Sequence, residues 1–501
     1  MTKAKIKKII ILGGGSAGWM TAAALSKTFS DQHYQIQLIE SDAIGTVGVG
    51  EATIPPVLLF NQLIGLNENE FIKETQATFK LGIKFVNWDQ IGNEYHHAFG
   101  DLGKDIGGLR FYQYWLKMRA LGKAEKFENY SLNAVASEEK RFMRSIDGGN
   151  SPLSNIAYAF HFDATLYAKY LRKLSEGCGV IRTEGKVAQV KQHENGFIKS
   201  LILENGSEHQ ADFFIDCSGF KALLIGETLN TPFEDWSHWL PCDRAVTVAT
   251  ESTETPWSYT QATAHSAGWQ WRIPLQHRVG NGHVYSSKYM SDDEAQKILL
   301  ENIQGKPLAE PRLIKFKTGH RTKCWNKNCL AIGLSSGFLE PLESTSLHLI
   351  QLAIEQLFKF FPNMSFDQVD IDEYNRQANF DFERIRDFLI LHYHVTKRDD
   401  SDFWNYCRTM KVPETVQQKI DLFNNNGRIF RIDNEMFDYH SWFQVMNGQG
   451  LSPEAYDPFV DVFSEYDLQD KMQQISSVIR KSADYMPSHQ EYIDANCKAN
   501  T

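Results

Sequence analysis

Residues 6–20 read Ile6-Lys7-Lys8-Ile9-Ile10-Ile11-Leu12-Gly13-Gly14-Gly15-Ser16-Ala17-Gly18-Trp19-Met20, and the order of events within them sets the fold. The mostly apolar run Ile6–Leu12 has strand character and stops abruptly on glycine. Trp19–Lys27 is alanine-rich and favours a helix. Beyond it, Tyr34–Ile39 alternates apolar residues and closes on Glu40. Strand, glycine turn, helix, strand is the opening of a parallel sheet with a right-handed crossover. In Gly13-x-Gly15-x-x-Gly18 the first glycine permits a tight turn. The second lets backbone N–H groups approach a pyrophosphate, and the third lets the helix pack closely on the strand. Glu40 ends the second strand, where a carboxylate accepts from a ribose hydroxyl. Gly13, Gly15, Ser16, Ala17, Gly18 and Glu40 are therefore candidate dinucleotide-binding residues, and the pattern does not separate NAD from FAD.

The same letters carry a rival reading. Gly14-Gly15-Ser16-Ala17-Gly18 also fits the G-x-S-x-G nucleophile elbow of hydrolases, which sits on a strand–turn–helix too. Glu40 favours the nucleotide, and the first strand of a chain is an odd place for that elbow.

Outward from this turn, Lys186–Val190, Ile198–Leu203 and Asp212–Asp216 read as strands, with Asn195-Gly196 and Asn205-Gly206 as turns between them. Val246–Thr250, Gln270–Ile273 and His283–Ser286 add β character. The segments Asp212–Gly219 and Cys329–Gly333 are strand-to-turn units that either return to a nucleotide or are ordinary buried strands. After Ser344 the spacing becomes helical over Leu347–Phe361, Val369–Leu391 and Val416–Phe423. Only one dinucleotide fingerprint occurs, so the chain shows no second site for a pyridine nucleotide of its own.

Composition narrows the function classes. Hydrophobic residues are 42% and charged residues 23% of 501, which supports a large core and rules out wholesale disorder. Lys plus Arg is 52 against 62 for Asp plus Glu, and the net charge of −10 argues against a nucleic-acid binder or a basic membrane-surface protein. Seven cysteines, an odd number without a C-x-x-C, argue against a disulfide framework and fit a reducing cytoplasm. No apolar run reaches ~18 residues, so no transmembrane helix is expected.

Further segments stand out in order: Gly48-Val49-Gly50-Glu51-Ala52-Thr53-Ile54-Pro55, Phe79-Lys80-Leu81-Gly82-Ile83-Lys84-Phe85, Trp269-Gln270-Trp271-Arg272-Ile273-Pro274, Ser335 to Thr345 with its Leu342-Glu343-Ser344-Thr345, and Arg398-Asp399 through Phe403-Trp404. With Gly13–Met20 they resemble the flavin-dependent halogenases, the tryptophan halogenase family, over nearly the whole chain. The resemblance implies an α/β FAD-binding Rossmann-type fold related to the single-component flavin monooxygenases, with a mainly helical substrate module. It implies a division into residues 1–90 with 151–345 for FAD and 91–150 with 346–501 for an aromatic substrate. The implied chemistry starts from reduced FAD, supplied by a separate NAD(P)H-dependent flavin reductase. With O₂ and chloride or bromide it yields hypohalous acid. The acid passes through an internal tunnel to Lys80 and halogenates an electron-rich ring by electrophilic substitution.

Residue by residue, the resemblance makes Lys80 the active lysine, either an ammonium donor to hypohalous acid or a haloamine. The ordinary fate of a lysine is a solvated helix face, which the motif overrides. Glu343 is implied to stabilise or deprotonate the cationic ring, and Thr345 and Ser346 to hold the halide. Tryptophan-acting members commonly carry Gly where Ser346 stands, and a Ser there resembles a subgroup known for indole and for bromide preference. Val49, Gly50, Ala52, Gly333 and Leu334 are implied flavin contacts. Trp269 and Trp271, two apart on a strand, face one side and are implied to exclude organic substrate from the flavin. His97 and Phe99 are implied to line the substrate pocket, with Trp442 and Phe443 as stacking partners. No Tyr-Tyr pair is visible in Tyr439–Gly450, which favours an indole over free tryptophan. The pairs His96/His97 and His392/His394 invite a metal, but neither has a carboxylate or cysteine partner in sequence, so none is expected. A monomer or homodimer is expected. The alternatives are an aromatic hydroxylase, against which the W-x-W pair speaks, and an inactive flavin-binding relative, against which Lys80 and Glu343 speak.

Overall fold

The computed structural model describes residues 4–29, 34–43 and 50–500. Lys8–Leu12 is the first strand and Ser16–Thr28 the first helix, and Gln35–Glu40 returns parallel to the first strand, with Ile9 opposite Ile36. Phe213–Asp216 pairs with the other side of Lys8–Leu12, again parallel. The sheet has six strands, in the order Trp325–Asn326, Cys329–Ala331, Phe213–Asp216, Lys8–Leu12, Gln35–Glu40, Ile181–Glu184. All its pairings are parallel except that of Trp325–Asn326, at one edge. Such a sheet is covered on its faces, so its strands carry continuous apolar runs; Ile9, Ile10 and Ile11 are fully buried. The neighbours of the first strand lie on opposite sides, so the crevice beyond its carboxyl end is a topological switch point. The segments Asp212–Gly219 and Cys329–Gly333 are the strands whose ends return to that crevice.

A second sheet has seven strands, in the order Arg312–Lys315, Arg244–Thr250, Val279–Tyr285, Gly268–Pro274, Thr260–His265, Gly82–Val86, Glu94–Ala98. Gly268–Pro274 is buried throughout. A three-stranded sheet sets Ala159–Asp163 between Gly50–Ala52 and Thr78–Lys80. Lys80 thus lies on a strand, not on the helix that is a lysine's ordinary setting.

From Ser346 onward the chain is mainly helical, with Ser346–Lys359, Gln368–His394, Asp402–Thr409, Glu414–Asn426, Tyr439–Gly448 and Glu465–Tyr485. Ser346–Lys359 packs on the first helix, and Glu465–Tyr485 packs on Phe111–Ala120 and Leu132–Glu138. Glu94–Ala98, which the sequence reading assigned to the helical module, is an edge strand of the seven-stranded sheet, because its residues pair with Gly82–Val86. Among the described residues no helix is long and apolar enough to cross a membrane.

Candidate active site

A cavity of about 470 Å³ opens at the glycine turn and runs between the two large sheets. Its near end is lined by Gly13 to Ala17, Glu40, Cys217 to Lys221, Gly333 and Leu334. Its middle is walled by Gly50, Glu51, Ala52, Trp269, Trp271 and Ile273, and its far end by Leu342, Ser344 and Ser346. The glycines divide the labour as their spacing requires. Gly13 has φ +115°, and a Cβ there would lie 2.1 Å from the Cys217 carbonyl oxygen. A Cβ on Gly15 meets nothing within 4 Å, so this turn presents bare backbone to the cavity. Glu40 Oε1 accepts from Arg182 Nε at 2.6 Å, and its side chain lies against Gly14. Val49 lies outside the described residues.

Trp269 and Trp271 do face one side of their strand, with ring centroids 6.0 Å apart. Trp269 is tethered: its Nε1 donates to Glu340 Oε2 at 3.0 Å, and Tyr393 OH donates to the same oxygen at 2.5 Å. Glu340 is fully buried, and burial pushes its carboxyl up to about 7.

Behind Ser344 stands Lys80. It is 0% exposed, and its Nζ donates to Ser344 Oγ at 2.7 Å and lies 5.3 Å from the Phe99 ring centroid. Burial drives the ammonium down to about 7, against the pull of Glu343. Ser344 adopts the left-handed conformation, φ 59°, ψ 35°, at the end of the short turn Pro341–Glu343. The cavity therefore reaches Ser344, whose hydroxyl is hydrogen-bonded to Lys80.

Glu343 does not hydrogen-bond to Lys80. Its carboxylate takes His97 Nδ1 at 2.9 and 3.0 Å. His392 Nε2 lies 2.8 Å from Oε1, at ion-pair distance though without hydrogen-bond alignment. Burial opposes its charge, but His97 and His392 overcome it and hold the carboxyl at about 2. The carboxylate partner that the sequence around His97 and His392 does not show comes from the distant Glu343. The pairs split: His96 points to Glu138 at 2.5 Å and His394 to the Cys407 carbonyl, while His97 and His392 converge on Glu343. Neighbours on a strand point to opposite faces, and residues two apart on a helix diverge. Among the described residues no three His, Cys, Asp or Glu side chains are grouped to hold a metal ion. Ser344 and Glu340 fall within the Ser335 to Thr345 segment and His392 within the His392/His394 pair, but the sequence gives none of them this place in the site. They become visible only through the residues they touch.

Thr345 is fully buried, with its Oγ1 unpartnered, just before the 14-residue helix Ser346–Lys359. His97 packs edge-on to Phe388, which stacks on Phe437 at 3.9 Å and meets Trp442 edge-on. Phe443 is not brought to this group: it packs among Tyr112, Trp115, Phe127 and Phe423. Consecutive helical residues diverge by about 100°, so Trp442 and Phe443 cannot both face one pocket.

A family profile described as tryptophan halogenase matches residues 8–465. The chain belongs to the tryptophan halogenase family. It is 34% identical to tryptophan 7-halogenase RebH of Lentzea aerocolonigenes over 495 residues, covering 91% of each chain. Tryptophan 6-halogenase SttH of Streptomyces toxytricini is 32% identical over 516 residues, covering 97% of this chain and 98% of that one. Among solved structures, a flavin-dependent halogenase from Xanthomonas campestris superposes with a TM-score of 0.96 at 46% identity, covering 99% of both chains. BrvH, a flavin-dependent halogenase from Brevundimonas sp., gives 0.95 at 44%, covering 98% of this chain and 99% of that one. The protein is thus an enzyme of the flavin-dependent halogenase class, with that class's FAD-binding fold. The class works with FAD and a halide and takes reduced flavin from a separate reductase.

Proposed function

We propose that this halogenase places chlorine or bromine on a small electron-rich aromatic ring, an indole in preference to free tryptophan, with Lys80 and Glu343 as the reacting groups. The observation that carries this is Lys80, fully buried and hydrogen-bonded to Ser344 at the far wall of the glycine-lipped cavity. The near end fits a dinucleotide: the open face of Gly15 and the residues Gly13, Ser16, Ala17 and Glu40 would hold phosphate and ribose, while Gly18, packed against the Gly13 carbonyl, lets the helix come close to the strand. Gly50, Ala52, Gly333 and Leu334 would border the ring system. Bound and reduced, FAD supplies with O₂ the oxidising power that converts halide into hypohalous acid.

The chain's own side chains then do the steering. Trp269 and Trp271 fill the space where an organic substrate would otherwise approach the ring system. Backbone N–H groups at the start of Ser346–Lys359, with the Thr345 and Ser346 hydroxyls, suit an anion. Lys80, as an ammonium, donates to the oxygen of hypohalous acid and draws electrons from the O–halogen bond. The halogen passes to the ring carbon as that bond breaks, and the oxygen leaves as water. Glu343 faces the cationic ring, stabilises it and takes the displaced ring proton. Phe99, His97, Phe388, Phe437 and Trp442 supply an aromatic wall for a flat substrate, and the helical residues from 346 onward close it.

The test is turnover with FAD, a flavin reductase, NADH, O₂ and either chloride or bromide, on indole, tryptophan and a phenol, read by the halogen isotope pattern in mass spectrometry. Halogenated indole that disappears in Lys80→Ala is the expected result. An oxygenated product formed regardless of halide would overturn the reading in favour of an aromatic hydroxylase.

A further inference from the structure

Between the helices Glu414–Asn426 and Tyr439–Gly448 the chain runs from 427 to 438 in no helix or strand. Such a segment has no hydrogen-bond ladder of its own, so its shape comes from what its backbone groups meet. Its ends are fixed by neighbours. Gln113 Nε2 donates to the Gly427 carbonyl at 2.8 Å, and the Asp438 carboxylate caps the next helix through the His440 and Ser441 N–H groups. Its middle closes on one buried ammonium. Lys419, on the buried face of Glu414–Asn426, donates from Nζ to the Phe430 carbonyl at 2.7 Å and to Glu435 Oε1 at 2.6 Å. The same Glu435 oxygen accepts Ile432 N–H at 3.0 Å, and the Glu435 carbonyl accepts from Arg431 Nε at 2.8 Å. The Lys419 and Glu435 side chains are 6% and 2% exposed, whereas Phe430, Asp433 and Asn434 face solvent.

We propose that Lys419 and Glu435 are positioning residues that set the spacing of the aromatic wall and so limit the size of ring the enzyme accepts. A buried Lys–Glu pair adds little stability over an apolar pair of the same volume, so its consequence is geometric. An ammonium has three donors. Two are taken by the segment, and Nζ stands 4.5 Å from the Trp442 ring centroid, so one group ties the segment to the helix that carries Trp442. Phe437, two residues beyond Glu435, is buried with it and stacks on Phe388 with centroids 3.9 Å apart. Phe388 in turn meets both His97 and Trp442 edge-on. No third ring enters between two rings at 3.9 Å. A larger substrate therefore gains room at this wall only when Phe437 moves, and the anchor at Glu435 opposes that movement. The inference rests on the aromatic wall proposed above.

The test removes the anchor without orphaning a charge, in the double variant Lys419→Met/Glu435→Leu of the full-length chain. Its Tm is expected to hold or rise. Deuterium exchange of residues 428–437, read by mass spectrometry without turnover, is expected to speed up about tenfold. The Kd for indole by calorimetry and the KM for indole are each expected to rise about tenfold, with kcat within about twofold of the parent. The ratio of kcat/KM for 2-phenylindole to that for indole is expected to rise about tenfold. Glu435→Gln keeps the accepting oxygen and is expected to leave every readout at the parent value. Unchanged exchange overturns the inference, as does faster exchange with KM and ring preference unmoved. A Tm that falls together with kcat while KM stays in place marks a purely structural pair and overturns it too. If the double variant does not fold, Glu435→Ala is read in its place against the same expectations for exchange, KM and ring preference. A parent chain that halogenates nothing would sink the functional reading, and exchange with the indole Kd would still decide the anchor.

Discussion

The two ends of one cavity are built on opposite principles. The glycine end is made largely of backbone: Gly13, Gly15 and Gly18 contribute by what they lack, and Glu40 adds a charged side chain from a strand end. The far end is made of side chains: Lys80, Ser344, Glu343, His97 and His392, drawn from three strands or turns and a helix and packed where water is excluded. An extended anion needs many weak, fixed N–H donors, which a turn at a helix N-terminus supplies. A proton-transfer centre needs few groups with displaced titration, which only burial and close charges supply.

The sharpest test of this contrast is Lys80→Ala. It is expected to lower halogenation by about 10³-fold while flavin fluorescence shows unchanged binding at the other end; loss of flavin would dissolve the distinction. The sign of its stability effect is also fixed. The Lys80 ammonium sits near 7 against an ordinary 10.5, so the cost of burying it is present in full below pH 7 and fades as pH rises toward 10.5. Lys80→Met should therefore raise Tm at pH 6 and progressively less at higher pH.

Glu343→Gln comes next, with an expected loss of about 10²-fold in kcat. The Glu343 carboxyl lies near 2 against an ordinary 4.5, so its stabilisation is present above pH 4.5 and lost as pH falls toward 2. Thermal melts of Glu343→Gln should be flatter across that window than those of the parent chain. A pair of substitutions then probes the backbone end. Gly13→Ala strains a positive φ and meets a carbonyl, costing ~2 kcal/mol of stability. Gly15→Ala should leave Tm unchanged and weaken flavin binding by about tenfold, or 1.4 kcal/mol, measured by titration. Equal melting losses in both would show that Gly15 does not face the ligand. The smallest expected change belongs to Ser346→Gly, a shift of about threefold in the bromide-to-chloride ratio of kcat/KM without a change in Tm; an unchanged ratio would remove Ser346 from the halide site.

The same contrast explains what is legible in the sequence alone. Backbone geometry leaves a local signature, so Gly13 to Gly18 and the strands around them were placed to within a residue or two, as with Ile198–Leu203. The parallel runs were legible because burial on both faces makes them continuously apolar. Lys80 and Glu343 stand out in sequence through motifs, but their surroundings do not. No spacing rule links residue 343 to residues 97 and 392, and only the fold sends His97 one way and His96 the other. Phe443 was misplaced for a related reason: helical phase decides which of two adjacent aromatic rings faces a pocket, and composition is blind to phase.

Ser344 holds a backbone shape that glycine would adopt with less strain, by about 1 kcal/mol. Its hydroxyl is what it offers in exchange, and that hydroxyl is spent on the amine behind it. Laboratory evolution toward heat resistance alone would drift toward glycine here and discard the contact unnoticed. On the role proposed for Lys80, endurance and turnover are rival selection pressures at this position, and a screen must score both to keep the serine.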